Sequence, residues 1–409
     1  MRKVLKGDRP CFSVQTRKGE EHAEIRTSSS TKKNETAYRN FLIRFFKILK
    51  MTMTLKVVLI ALIVIVQTFR SCQDNPIKHE PESGKRNYEW KLDTLNMPMN
   101  YISSVWGATP DDVWAIGGGG TQYDRLLHYD GLQWSTYTKE VIWCTGFTVF
   151  GFRADDVWMG GGAGWLERGA GIWHYDGVEW TQNYVYSIEE TYYSIEVDEI
   201  WGPSPDDVYA CGIIVFDDGK NGICRGFVLH YDGVKWQEIA RADFNSQFLR
   251  IRKENDNVYV FSYGINYEKS YDDVWEFYKV KDNELQQIYS GKYGIMHGAN
   301  ISVIDKKVCF IIDNDVYLYK NGEFKEFLSV DNDNFFWHVF GRNINDIFIG
   351  MEDGIAHYNG TDIEYIYNIS TEGMHIVGHP LILEEDVFYC MVYPGAQWYN
   401  MVLHGKLVE

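Results

Sequence analysis

The chain has 409 residues, with 57 Asp and Glu against 40 Lys and Arg and a formal net charge of −17. Charge is divided along it: residues 1–72 carry 15 basic and 5 acidic side chains, whereas residues 73–409 carry 25 and 52. An acidic body of that kind repels phosphate backbones and anionic lipid, so nucleic acid is excluded as an expected partner.

In chain order, the first legible element is Val57 to Val66, ten apolar residues preceded by Lys56. That run is too short to span a bilayer and suits the core of a signal peptide. It leads to Phe69-Arg70-Ser71-Cys72, which resembles the cleavage site of bacterial lipoproteins, as in Bacteroidetes-like proteins. The resemblance implies that Cys72 becomes a lipidated first residue and that the protein is exported to the outer membrane or cell surface. A signal anchor or an ordinary secretory signal are the alternatives. Met51 and Met53 are natural starts, so residues 1–50 read as a mis-called or extended, disordered N-terminus and 51–72 as a lipoprotein signal peptide. Residues 73–87 are polar and contain Pro and Gly, which reads as a flexible tether.

From residue 88 a unit repeats. Its first full copy runs Val105-Trp106-Gly107, Asp111-Asp112-Val113-Trp114, His128-Tyr129-Asp130-Gly131 and Trp134. Strong copies follow at Asp155-Asp156-Val157-Trp158, Asp206-Asp207-Val208-Tyr209 and Asn345-Asp346-Ile347-Phe348. Weaker ones centre on Val258, Val308 and Val387, and successive units lie 39 to 51 residues apart. That period, with strand-like and turn-like content, predicts an all-β protein: a β-propeller of seven four-stranded blades over residues 88–409. The Pro-Asp-Asp and Asp-Gly steps are turn chemistry. Val113 to Ile116 is apolar throughout, as a strand packed on both faces requires. The last unit has little room for an outer strand, while Tyr88-Glu89-Trp90 is a strand without a unit. The N-terminal strand is therefore predicted to complete the last blade and close the ring.

The histidines at 128, 174, 230, 357 and 404 occupy one repeat position, so they are spread around the ring and cannot converge on a metal. The paired aspartates read as turn formers. The glycine runs 117–120 and 160–162 follow strands with no helix after them, which excludes a phosphate cradle. No cofactor is expected. Ca²⁺ is the one ion that the acidic loops Phe216–Gly222 and Asp331–Asn334 could hold, solvated turns being the plainer reading. Of the five cysteines after Cys72, Cys211 and Cys224 flank one hairpin; a disulfide and small buried hydrophobes are both open there.

The unit Asp-Val-Trp-Ala-Ile-Gly-Gly, a variable loop, then Leu-His-Tyr-Asp-Gly-x-x-Trp resembles kelch and Asp-box propeller repeats. It is most similar to exported bacterial propellers with Trp-Gly-x-Ser-Pro-Asp-Asp-Val-Trp repeats. It departs from kelch in lacking the Gly doublet in later blades, and from Asp-boxes because Asp130 and Gly131 are adjacent. Proteins of this kind are often labelled glucosyltransferase-like, but no nucleotide-sugar fold is legible here.

No triad, metal-ligand or phosphate motif is present, so the connections between second and third strands carry the functional expectation. With the blade-to-blade connection at 181–198 they supply Tyr123, Trp165, Glu167, Arg168, Tyr186, Glu189, Tyr267 and Trp398 as candidate binding residues. Aromatics flanked by acids suit a peptide or a sugar. The leading expectation is a monomeric, lipid-anchored, non-catalytic scaffold that recognises a protein or glycan at the cell surface through that face. The alternatives are a glycoside hydrolase or lyase, with Glu167, Glu189 and Glu190 as its acids, and an outer-membrane assembly factor.

Overall fold

The computed structural model describes residues 39–40, 82–95, 101–118, 126–137, 142–162, 169–216, 222–265, 273–294, 297–369, 373–393 and 399–408. Residues 1–78 and 79–409 form separate units, and the strands all belong to the second. The signal-peptide reading and Cys72 lie outside the described residues.

The first strand is β1 (Tyr88–Leu95). Blade one is β2 (Tyr101–Thr109), β3 (Asp112–Gly118), β4 (Leu126–Tyr129) and β5 (Trp134–Thr136). Blade two is β6 (Thr145–Arg153), β7 (Asp156–Gly162), β8 (Ala170–Tyr175) and β9 (Trp180–Tyr186). Blade three is β10 (Ser194–Ser204), β11 (Asp207–Phe216), β12 (Ile223–Tyr231) and β13 (Trp236–Arg241). Blade four is β14 (Ser246–Glu254), β15 (Asn257–Gly264), β16 (Val274–Lys281) and β17 (Glu284–Lys292). Blade five is β18 (Ala299–Ile304), β19 (Lys307–Ile312), β20 (Asp315–Lys320) and β21 (Glu323–Ser329). Blade six is β22 (Phe335–Asn343), β23 (Asp346–Met351), β24 (Gly354–Tyr358) and β25 (Ile363–Asn368). Blade seven is β26 (His375–Ile382), β27 (Asp386–Tyr393) and β28 (Tyr399–Leu407), completed on its outer edge by β1. Each sheet is antiparallel, and the seven form the closed propeller that the repeat predicts.

The closing strand pairs Tyr88 with Leu407 through to Leu95 with Asn400. Trp90 stands opposite Gly405, where an added Cβ would come within 2.5 Å of the indole; glycine makes the room. The Trp90 ring packs on Tyr367 of blade six at 5.1 Å, and its N–H donates to the Ile366 carbonyl. The sequence places Trp134 at the same register, opposite Tyr129.

Three side-chain devices recur. In five blades the aspartate that opens the second strand accepts from the histidine of the third strand: Asp112–His128 (2.6 Å), Asp156–His174 (2.8 Å), Asp207–His230 (2.9 Å), Asp346–His357 (2.7 Å) and Asp386–His404 (2.6 Å). An aromatic ring two residues after that aspartate packs against the same histidine, from 4.0 Å for Phe388, which stacks, to 4.8 Å for Phe348, which meets it edge-on. These histidines are therefore latches within single blades. The Asp-Gly steps are hairpin turns in which Asp130, Asp176 and Asp232 each accept two backbone N–H groups.

Glycine 117, 161 and 212 face the inner strands at their bulges, where a Cβ would sit 1.9–2.0 Å from the carbonyl oxygens of Tyr101, Thr145 and Glu196. Close backbone approach, not phosphate binding, explains the glycine runs. Among the described residues, Cys144, Cys211, Cys224, Cys309 and Cys390 are buried and form no disulfide. The register sets Cys211 opposite Val228 and Cys224 opposite Val215, so the two thiols do not face each other.

The polar segment before β1 is not wholly a loose tether. Ser83 donates to the Asn359 carbonyl, Gly84 to that of Asn345, and Arg86 reaches His357, Asp362 and Glu364. The chain thus enters across the hairpin turns of blade six. Trp90→Ala is expected to lower stability by about 2 kcal/mol, since a half-buried indole is lost. Thermal and urea unfolding check this; an unchanged midpoint would show that the closing strand is not held by this ring.

Candidate functional site

The antiparallel order puts the connections between blades, and between second and third strands, on one face. The first-to-second and third-to-fourth hairpins lie on the other. Inner strands start at the connection face and run down the central channel.

The expected binding residues divide by this geometry. Tyr123, Trp165, Glu167, Arg168, Tyr267 and Trp398 lie outside the described residues. Tyr186 is a correction: it is buried, its ring lies 4.4 Å from Phe227 and its hydroxyl donates to Glu238, so it offers no surface. Glu189 and Glu190 are exposed on the β9–β10 connection, with Glu190 3.6 Å from Arg241. They lie on the surface beside a shallow groove, away from the channel. Of the calcium candidates, 217–221 lies outside the described residues, and Asn332 and Asn334 are bonded to Tyr365 and Asp353. Among the described residues no group of three or more His, Cys, Asp or Glu converges as metal ligands, and no helix is long and apolar enough to cross a membrane.

The structure assembles a different set of residues. All seven inner strands line a cavity of about 210 Å³ in the channel. Six of them bulge at the same level: after Ile102, Gly146, Val197, Phe248, Phe335 and Val377. A bulge adds a residue and re-aims a side chain. The added residues include Ser103, Asp198, His338 and His379.

In blades one, two and three the residue just beyond the bulge stitches neighbouring blades together. Ser104 Oγ accepts from the Val149 N–H (3.2 Å), Thr148 Oγ1 from Ile200 (3.2 Å) and Glu199 Oε2 from Ile251 (2.7 Å). Glu199 also receives a two-pronged bond from Arg252, at 2.5 and 3.1 Å. Both side chains are under a tenth exposed. Arg252 in turn stacks on the Trp201 ring. From blade seven, His379 reaches across the channel: its Nε2 lies 2.5 Å from Arg250 Nε and its Nδ1 3.4 Å from Glu199. Burial, with Arg250 and Arg252 beside it, holds its pKa well below the ordinary value. The neutral ring accepts from Arg250 at Nε2 and so carries its proton on Nδ1, toward Glu199. Arg252, Glu199, His379 and Arg250 thus form one network joining blades three, four and seven.

Asp198 and Glu196 stand apart from this network: among the described residues no cation is bonded to either. Asp198 accepts from Gln247 at 3.0 Å. Burial lifts its carboxyl to about 7; the Gln247 bond opposes the rise and the Glu196 charge adds to it. Burial also raises Glu196. Tyr101 at the channel mouth is raised by burial and by both acids. Burial and Arg250 push His338 down to about 4.

No family model matches the chain, and no curated protein does. Solved structures do. One is YCF48 bound to a D1 peptide: TM-score 0.50, 11% identity, covering 80% of this chain and 100% of that one. Another is a catalytically inactive virginiamycin B lyase from Staphylococcus aureus with quinupristin: TM-score 0.51, 13% identity, covering 78% and 100%. At such identities the likeness is one of fold.

Two outcomes follow from the channel. Removing one partner of the buried pair, by Arg252→Ala, should cost about 3–5 kcal/mol, because Glu199 loses its two-pronged guanidinium partner in a buried site. Arg252→Met with Glu199→Gln should recover much of that loss, and a double-mutant cycle by urea unfolding checks it. Separately, folded Asp198 keeps its proton to about pH 7, whereas an unfolded aspartate releases it near 3.9. The folded state binds more protons in that window, so stability falls as pH rises through it. Asp198→Asn should therefore stabilise the protein at about pH 8 and leave it unchanged near pH 4. Parallel pH profiles for parent and variant would contradict this.

Proposed function

We propose that this is a non-catalytic binding propeller of the cell envelope, which grips a protein partner through the face bearing the channel mouth and the long connections. The observation that carries the reading is that the most buried acid in the channel is already committed: Glu199 is satisfied by Arg252 and by the Ile251 amide. A rigid, cross-linked channel floor suits recognition, with variable loops around it as the contact surface. The likeness to YCF48, bound to a peptide, favours a protein segment over a glycan as the partner class. A lipid on Cys72 completes the proposal. The chain enters the propeller at Ser83, across the hairpin turns of blade six.

A second reading, a hydrolase or lyase of carbohydrates, is favoured by one observation. The carboxyl of Asp198, at about 7, lies in the range of a general base at neutral pH.

Both readings meet in one experiment. The full chain is immobilised and offered envelope extract with photo-crosslinking in parallel with a glycan array and turnover assays. The binding reading expects a specific protein cross-linked to the connection face and no turnover. Turnover of a glycan, lost in Asp198→Asn, would replace it with the enzyme reading.

A further inference from the structure

Tryptophans of the outer strands sit at the seams between blades, and their indole N–H groups reach for the blade before. Trp236 of blade three donates to Asn183 Oδ1 of blade two at 3.1 Å, and Trp90 donates to the Ile366 carbonyl of blade six at 3.0 Å. Both acceptors come from a bulge. Asn183 is the extra residue of β9, between the pairs Trp173–Gln182 and Ile172–Tyr184; Ile366 is that of β25, between Ala356–Tyr365 and Ile355–Tyr367. By contrast β1 has no bulge: it pairs with β28 residue for residue, Asp93 opposite Val402. Blade seven therefore sends no such acceptor to Trp134 of blade one, whose indole N–H has no partner among the described residues.

Trp180 is the informative contrast. The strand before it, β5, also pairs without a shift, and Trp180 Nε1 likewise has no acceptor. That indole is sealed, however: it is 1% exposed and meets the Trp114 ring edge-on at 5.4 Å. Blade seven presents the smaller Phe388 where blades one and two present Trp114 and Trp158, and Trp134 stays only half-buried. Beneath it the apolar core of the seam is continuous. At the outer edge a groove of about 320 Å³ is left between β1 and the last hairpin of blade one. Trp134, Tyr129 and Leu132 give it an apolar side; Asp93, Lys91 and Gln133 give it a polar one. Lys91 Nζ lies 2.9 and 3.2 Å from the two Asp93 carboxylate oxygens, so these charges cancel. A carboxylate has about four acceptor sites, which leaves Asp93 capacity beyond Lys91.

We propose that this groove is a binding site for one neutral sugar ring, separate from the connection face. The C–H face of a pyranose is apolar and suits the face of the Trp134 indole. Its hydroxyls suit the polar side: one hydroxyl accepts from Trp134 Nε1 and donates to Asp93 at the same time, which neither an amide N–H nor a carbonyl can do. The internal pairing of Lys91 with Asp93 favours a neutral sugar over an acidic or an amino one. The volume of about 320 Å³ lies at the lower end of the roughly 300–1,000 Å³ of small-molecule sites.

The test follows the indole N–H resonances of the full chain by heteronuclear NMR. The chain is titrated with the methyl glycosides of glucose, galactose, mannose and N-acetylglucosamine, and with sorbitol. The Trp134 resonance is the one that Trp134→Phe removes. At least one glycoside should bind at millimolar concentration or below and shift that resonance; sorbitol, which has hydroxyls without the ring, should not bind. Trp134→Phe keeps an aromatic face and removes the donor, and should weaken binding about threefold to tenfold; Asp93→Ala should weaken it about tenfold or more. Trp134→Ala should abolish it, and unfolding midpoints show that each variant is folded. The proposal is overturned if none of the four glycosides binds at tens of millimolar. It is equally overturned if sorbitol binds as tightly as the glycosides, if the shifts fall on other indoles and spare Trp134, or if Trp134→Phe and Asp93→Ala both bind like the parent.

Discussion

The fold depends on one constraint: no blade owns its hydrophobic core. Each of the seven apolar clusters lies between two blades. Trp114, Ile116 and Leu126 of blade one share a core with Val157, Met159 and Trp180 of blade two, for example. The seventh cluster joins Val402, Phe388 and Cys390 of blade seven, with Leu95 of β1, to Val105 and Leu127 of blade one. A sheet that buries both faces against neighbours has no stable existence alone, so the ring must close. Closure by β1 is the step that brings the seventh core together.

That constraint explains where chemistry can lie. The sheet faces are consumed by packing, and the turns of the strong repeats by Asp–His–aromatic latches. What remains is the inner edge of each first strand. There the bulges of six blades, with glycine 117, 161 and 212 admitting three of them, re-aim side chains toward the axis. The same structural position thus holds serine, threonine, glutamate, arginine and histidine around the channel. Apolar packing is uniform around the ring; the polar content of the channel is not, and that asymmetry sets Asp198 and Glu199 of blade three against Arg250 and Arg252 of blade four, with His379 of blade seven beside them.

Much of the architecture was legible in the sequence because its signals are local. Asp-Asp-Val-Trp and His-Tyr-Asp-Gly each encode a turn and its flanking strands, and the spare strand at Trp90 matched the gap after Gly405. Blades four and five were fainter for a physical reason. Asn257 and Lys307 replace the turn aspartate, and Lys279 and Leu318 stand where the histidine would be. Their hairpins instead turn on residues with positive φ, such as Asp282-Asn283 and Asp305-Lys306. The channel residues were not legible. Asp198, Arg250 and His379 lie far apart in sequence, and bulges break the alternation that would assign them a face. One signal was available: in the aligned units, the residue before Val105, Val149, Ile200 and Ile251 changes from Ser and Thr to Glu199 and Arg250. Charge at a position otherwise held by small hydroxyls marks the channel. The loop aromatics drew attention because they were exposed in pattern; Tyr186 shows how a connection residue can instead be bound into the core of the neighbouring blade.

The account's central claim is that binding occurs at the connection face and its channel rather than at the hairpin face. Hydrogen–deuterium exchange of the full chain, with and without its cross-linkable partner, tests this most directly. The account predicts that protection gathers at the upper ends of the inner strands, in residues 101–105, 194–200 and 246–251, and in the connections beside them. Protection confined to the hairpin turns at Asp130–Gln133, Asp176–Glu179 and Asp232–Lys235 would contradict it.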